Sequence, residues 1–437
     1  MTWVTATRDT AVPASGVPET PVTDEKRAAD WEPDQDRGGN ARGAGSRSPQ
    51  RLAEYDRLRT ECPVAWTNDY AGQWTLTRYA DVTEAARKPG TFASGTFFTL
   101  PLAGGGPQIP ITLNPPEHTV FRRMLNRYFT KERMERLEPL IRSYTREQLA
   151  PLLETGRTDV VGSICQVLPA RTLAALMNLP DEASQELIAQ MAQFEESGWD
   201  PMVVAPVIFG TMATYIAQVV GRRRQAPLDP ELDLLSGAMA MEVDGEPLSD
   251  ETVIGIGVQM IAAGHATSAD ALGAVIYRIA TNPDIQMRLR RQPELIPTAI
   301  EEFLRLEVPL PELGRQATQD VELHGRTIAA GDLVALNYAS ANRDPEAFEH
   351  PDSCIIDRSP NKHLTFGSGI HKCLGAPLAR LELRVVLEEL LAATTQISLD
   401  GAPEETTGVI LAGFVRLPIR VQPVSYTHLT LPTNREV

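Results

Sequence analysis

The stretch that most constrains this chain is "LSDETVIGIGVQMIAAGHATSADALGAVIYRIATNPD", Leu248 to Asp284. It is apolar almost throughout. Ser249 can cap it, Asp250 and Glu251 fall in its first turn, and Pro283 ends it. The pattern predicts one long buried helix. At 1.5 Å per residue it would span roughly 45 Å, enough to cross a whole domain. Such a helix needs protein on every side, and the polar residues at its centre, His265, Thr267 and Ser268, need a reason to be there.

The flanking sequence can supply the surroundings. From "KERMERLEPLIRSYTREQLAPLLE" to about Arg305 helical periodicity dominates. Strand patterns lie outside it: "VAWTND" and "QWTLTRYA" early, "RQATQDVELHGRTI" and "DLVALNYA" late, "GFVRLPIRVQPV" last. The predicted class is mainly α with a small β-sheet region (α+β), the sheet drawn from both ends. The 437 residues, 42% hydrophobic, suffice for one large domain or two interlocked lobes. Residues 1–48, rich in Pro, Gly, Asp, Arg and Ser, read as a disordered leader. Residues 49–424 read as the folded domain. The 425–437 tail changes character abruptly; translated vector sequence and a frayed native end both account for it.

A formal charge of −16 disfavours nucleic acid and anionic membrane as partners. Four scattered cysteines, Cys62, Cys165, Cys354 and Cys373, are not a disulfide framework and suit a reducing cytoplasm. No signal peptide is visible. The uncharged run Pro201–Val220 contains Pro206, Gly210, Thr211, Thr214 and Gln218, and reads as a buried or pocket-lining helix rather than a membrane span.

Chemistry concentrates in "FGSGIHKCLG", Phe366–Gly375. Leu374, Leu378, Leu381 and Val385 mark one helix face just beyond it, so Cys373 is expected at a helix N-terminus, where the dipole and free N–H groups favour a thiolate. Gly367, Gly369 and Gly375 allow a tight turn and close backbone approach to the sulfur. One thiolate without partner cysteines suits an axial heme ligand; zinc would want three or four ligands, and only His371 and His363 lie near.

Phe366-Gly367-x-Gly369-x-His371-x-Cys373-Leu374-Gly375 resembles, residue for residue, the heme-binding signature of the cytochrome P-450 superfamily, most of all its soluble bacterial members. The resemblance runs from about residue 50 to 423. It implies a triangular-prism helical domain with a long central helix over heme b (iron protoporphyrin IX), and Cys373 as axial ligand, with Phe366, Gly367 and Gly375 in its cradle. Glu302-x-x-Arg305 matches the E-x-x-R motif and Arg358 the arginine that completes its network, in a structural role. His118, Arg122, Arg315 and His371 would meet the heme propionates. Ala263-Gly264-His265-Ala266-Thr267-Ser268 is similar to the oxygen-activation motif, with small residues Ala263 and Gly264 admitting heme and oxygen, and Thr267 orienting oxygen. The usual acid is replaced by Ala266, which puts the standard proton route in doubt; water, Thr267, Ser268 or a group on the substrate could substitute, with His265 as a further candidate.

The resemblance also implies a hydrophobic substrate pocket, with Phe97, Phe98, Leu100, Ala263, Val308 and Leu310 as candidate contacts. Oxygen from O2 would be inserted by hydroxylation, epoxidation or O-demethylation. NAD(P)H would supply electrons through a ferredoxin and its reductase, docking on Arg122, Arg123, Lys372 and Arg384. Two alternatives stay open: a nitric oxide reductase-like or peroxide-driven enzyme on the same fold, and a non-catalytic heme gas sensor or carrier.

Overall fold

The structure, a computed structural model, describes residues 28–31, 48–68, 72–95, 108–180, 201–406 and 411–424. The helices are α1 (Pro49–Glu61), α2 (Tyr79–Arg87), α3 (Glu117–Asn126), α4 (Lys131–Thr155), α5 (Val167–Leu176), α6 (Pro201–Gln225), α7 (Leu234–Met239), α8 (Asp250–Gly264), α9 (Ala266–Thr281), α10 (Pro283–Arg291), α11 (Ile296–Leu306), α12 (Tyr338–Ala341) and α13 (Ala376–Ala393).

A five-stranded sheet joins both ends of the chain, in the order Val64–Thr67, Gln73–Leu76, Leu333–Asn337, Glu312–Ala317, Phe92–Ala93. The first two strands form the expected hairpin, with Trp66 opposite Trp74 and their rings edge-on at 5.2 Å. The late strand Leu333–Asn337 runs parallel to Gln73–Leu76. The last strand, Pro418–Pro423, lies between Thr394–Leu399 and Arg157–Asp159.

The helical core gathers α4, α5, α9, α11 and α13 around Leu272, Val275, Phe303, Val385 and Leu390. A second cluster packs α6 against α8 through Ile216 and Ile256, where a side chain on Gly257 would meet Ile216 at 2.7 Å. Met212, Ile216, Val219 and Val220 form the buried face of α6. Among the described residues no helix is long and apolar enough to cross a membrane.

Two expectations need correcting here. The long helix is broken: α8 ends at Gly264, His265 has φ −83° and ψ −70°, and α9 resumes at Ala266. The cause is local hydrogen bonding. The Thr267 hydroxyl donates to the Ala263 carbonyl at 2.7 Å, and the His265 ring is drawn sideways to the Gln166 carbonyl at 2.8 Å. The leader, expected to be disordered through residue 48, is docked at 28–31. Trp31 is buried against Leu58 and Ala65, and Asp30 accepts the Trp66 N–H at 2.7 Å and pairs with Arg326 at 2.9 Å. A composition rule averages over such a segment and misses one aromatic anchor in it.

Candidate active site

The cysteine loop is built on positive-φ glycines. Gly367 has φ +68° and Gly369 φ +69°. A side chain on Gly369 would meet the Ala86 carbonyl oxygen at 2.1 Å, so the loop lies flush against α2 only because that residue is glycine. The Cys373 N–H donates to the Phe366 carbonyl at 2.7 Å and closes the loop. Gly375 has an ordinary φ of −79°, and a Cβ there would lie 4.0 Å from the Cys373 Sγ, in simple contact.

Helix α13 starts at Ala376, not at Cys373. The sulfur nonetheless receives the N–H groups of Gly375 and Ala376, the first unpaired donors of that helix. These and the Arg122 and Arg380 charges favour the thiolate, but desolvation outweighs them and the thiol pKa stands above its usual value. Cys373 is accessible to solvent and yet closely surrounded by protein atoms.

Phe366 is held from the side. The Arg380 guanidinium lies 4.3 Å from the ring centroid and the His363 ring 5.9 Å from it. Glu301 holds both: two bonds of 2.7 Å reach Arg380, and His363 Nε2 lies 3.1 Å away. Sequence reasoning missed Glu301 and Arg380, because neither residue has a spacing signal.

Four basic groups converge beside the loop. The His118 and His371 rings lie 4.3 Å apart, and the Nε2 atom of each is buried without a partner. Burial, then the charges of Arg315 and Arg122 and the neighbouring His118, hold the His371 pKa down to about 3. Arg315 is 4% exposed, and its hydrogen bond goes to the Gly314 carbonyl beside it. Arg122 donates to the Lys372 carbonyl and to Asn126. Among the described residues no carboxylate pairs with Arg315 or Arg122. A cationic cluster of this kind is costly unless an anion joins it. With one soft thiol donor nearby, the set fits a heme carrying two carboxylate arms.

The broken helix supplies accessible Ala263 and part-exposed Ala266 and Thr267. Two expected neighbours turn elsewhere. A side chain on Gly264 would strike Leu173 at 2.8 Å, so this glycine serves helix packing rather than opening the cleft. His265 is 2% exposed and bonds Gln166; burial lowers its pKa, and it does not join Thr267. The Thr267 hydroxyl, expected as a donor toward oxygen, donates to Ala263 and leaves its lone pairs to accept.

Of the pocket candidates, Val308 is 1% exposed and packs in the sheet-side core, so it is not a contact surface; Leu310 is half-buried. Phe97, Phe98 and Leu100 lie outside the described residues.

Glu302, Arg305 and Arg358 come together as expected. Glu302 and Arg305 are both fully buried and paired at 2.8 and 2.9 Å, and Arg358 reaches the same carboxylate at 3.0 Å. Asn361 and the Ile355 N–H complete it.

A thiol just before a helix start, a cluster of basic side chains beside it and a broken apolar helix are three features that one architecture combines. The family model for cytochrome P450 matches residues 203–406. The mycinamicin IV hydroxylase/epoxidase of Micromonospora griseorubida is 33% identical over 383 residues, 84% of this chain and 94% of that protein.

The chain belongs to the cytochrome P450 family.

The vitamin D(3) 25-hydroxylase of Pseudonocardia autotrophica is also 33% identical, over 85% of this chain and 94% of its own length. Among solved structures, a mutant of P450 EryK in complex with erythromycin B superposes with a TM-score of 0.78 at 30% identity, covering 86% of this chain and 97% of the other. CYP109E1 from Bacillus megaterium in complex with testosterone gives 0.74 at 29%, covering 84% and 98%. This cytochrome P450 is a heme-dependent monooxygenase of the bacterial type, using dioxygen and NAD(P)H-derived electrons delivered by partners.

Proposed function

We propose that this P450 hydroxylates or epoxidises a bulky, mainly apolar small molecule, with heme b bound through Cys373 and electrons arriving from a ferredoxin and its reductase in the cytoplasm. The observation that carries the reading is the grouping of Cys373 with His118 and His371, whose Nε2 atoms have no partner, and with Arg122 and Arg315, which bond carbonyl and amide oxygens and no described carboxylate. Relatives named as a mycinamicin IV hydroxylase/epoxidase and a vitamin D(3) 25-hydroxylase support the substrate class.

When bound, the heme supplies a thiolate-ligated iron that activates dioxygen. The protein's own groups have separable tasks. Cys373 is the iron ligand, and the Gly375 and Ala376 N–H groups steady its negative charge. His118, Arg122, Arg315 and His371 would hold the carboxylate arms of the group. Arg305, Glu302 and Arg358 hold the surrounding core and take no part in bond making. Thr267 accepts a hydrogen bond at the cleft while its own proton rests on Ala263. Ala263 and Leu310 present apolar surface to the substrate, and the cleft excludes water around it.

The test is an optical titration of the purified ferric protein with macrolides, steroids, terpenoids, aromatics and fatty acids. A saturable low-spin to high-spin shift is expected with at least one bulky apolar class. If no class shifts the spectrum of heme-loaded protein, the substrate reading fails while the family membership stands.

A further inference from the structure

Asp30 and Trp31 have no part in the chemistry, yet they are firmly docked, and they lie against an edge. Val64–Thr67 is the outermost strand of the five-stranded sheet, and an edge strand presents N–H and C=O groups with no strand to meet them. Asp30 takes both such groups of Trp66. Its N–H donates to the Trp66 carbonyl at 2.9 Å, and its carboxylate accepts the Trp66 N–H at 2.7 Å. The same carboxylate receives two bonds from Arg326, at 3.1 and 2.9 Å, and the Asp30 carbonyl accepts from Arg57 at 3.0 Å. Desolvation works against the charge, but the Arg326 and Trp66 bonds outweigh it and hold the carboxyl below its usual range. Trp31 is 6% exposed and packs on Leu58 and Ala65, with the Arg51 guanidinium 5.8 Å from its ring centroid. Two residues thereby tie together α1, the edge strand and the hairpin of Val321–Leu323 with Arg326–Ile328.

The register of the sheet gives this clip a direction. Trp66 stands opposite Trp74, Trp74 opposite Val334, and Val334 opposite Arg315. Paired residues share one face of a sheet, so Asp30 is fastened to one end of a cross-strand row whose fourth member is Arg315. The near end of the row is well packed: Arg326 lies 5.0 Å from the Trp74 ring centroid, and the Trp74 indole N–H donates to Asp332 at 2.8 Å. The Arg315 guanidinium bonds the carbonyl of its own neighbour Gly314, so its place is set by its strand. Edge elements are where local unfolding starts, and opening of the Val64–Leu76 hairpin would strip Leu333–Asn337 of its parallel neighbour. We propose that Asp30 and Trp31 are positioning residues for Arg315, a latch on the sheet edge that keeps this hairpin closed and so holds the strand Glu312–Ala317 in register.

The inference rests on the reading of Arg315 as a partner of a heme carboxylate, and the test separates the two. It follows backbone amide exchange in the full-length, heme-loaded protein. D30A and W31A are expected to speed exchange about fivefold in Val64–Leu76, in Leu333–Asn337 and in Glu312–Ala317, with α4, α9 and α13 protected as in wild type. R326Q cuts the ion pair from the other side and should give the same pattern more weakly. Heme transfer to excess apomyoglobin should quicken about fivefold in D30A and W31A, because the Arg315 strand opens more often. Faster exchange confined to Val64–Thr67 overturns the latch, since the row then transmits nothing. Faster exchange spread evenly over all helices also overturns it, since the two residues then serve general stability. Exchange that reaches Glu312–Ala317 while heme transfer stays at the wild-type rate supports the latch and overturns the carboxylate reading of Arg315.

Discussion

Two glutamates in the helical core show how differently one side chain can be used. Glu302 is fully buried and accepts from Arg305, Arg358, Asn361 and the Ile355 N–H. Arg305 spends its remaining donors on the carbonyls of Asn342, Pro351 and Ser353. The network is closed, and removing one partner would strand the other, a loss of about 3–5 kcal/mol for buried pairs of this kind. Glu382 is equally buried and has no such partners. Its folded-state pKa of about 8 lies above its ordinary value of 4.5. Below pH 4.5 both folded and unfolded chains carry the proton, and nothing is lost. As pH rises through the window from 4.5 to about 8 the unfolded chain releases the proton first, so stability falls, by about 1.4 kcal/mol per pH unit. Glutamine keeps the shape and cannot ionise. E382Q should therefore match the wild type near pH 4.5 and gain on it by about 2–3 kcal/mol between pH 5.5 and 7.5, read from thermal or urea unfolding of the holoprotein. A difference that does not change with pH would mean that Glu382 is ionised in the fold.

At the scale of elements, the cysteine loop and the helix break carry the site, and they were not equally legible. The loop was readable because its needs are local: Gly367 and Gly369 do adopt positive φ, and the Cys373 N–H closes on Phe366. The Glu302–Arg305 pair was readable because i, i+3 spacing puts both on one helix face. The break in the long helix was not readable, since residues 248–284 are apolar on both sides of it. What breaks the helix is Thr267 bonding backward and His265 reaching Gln166, a residue 99 positions away in the chain. Gly264 was misread for the same reason: its demand comes from Leu173, a tertiary neighbour. Glu382 did leave a signal, a charged residue on the face defined by Leu378, Leu381 and Val385, but a single polar position in a helical stripe carries little weight by itself. The loop geometry makes a sharp prediction. G369A must adopt φ +69° and move Ala86 or the loop, so heme content should fall several-fold and unfolding shift to lower temperature. G375A needs no backbone change and should keep its heme, with an altered Soret band because the new methyl touches the sulfur side. Equal heme content in the two variants would show that the Ala86 contact does not set the loop.

For the whole molecule, charge sets the problem of meeting a partner. The chain carries −16 overall, yet the side of the cysteine loop is locally basic. Sequence proximity suggested Arg122, Arg123, Lys372 and Arg384 as a docking patch, and packing draws Arg384 out of it. Arg384 is locked to Glu138 at 2.6 Å and to Glu388 at 3.1 Å, inside a network that also ties Arg142 and Arg146 to Glu389. Its charge is cancelled within the α4–α13 seam. Arg122 turns to the Lys372 carbonyl beside the heme-facing cluster. Arg123 and Lys372 are exposed, and neither forms an ion pair with a described residue. A negatively charged electron donor repelled by most of the surface would be steered to these two, and steering of this kind acts on association and is screened by salt. Reversing both, R123E with K372E, should raise the KM for ferredoxin about tenfold at low ionic strength, with the gap closing as salt rises and the ligand-induced spin shift unchanged. R384Q should leave that KM within about twofold, because a half-buried charge already paired with Glu138 and Glu388 adds little to the field. If R384Q weakens ferredoxin as much as the double reversal does, the donor approaches over the α4–α13 seam instead, and the paired charges there must open to receive it.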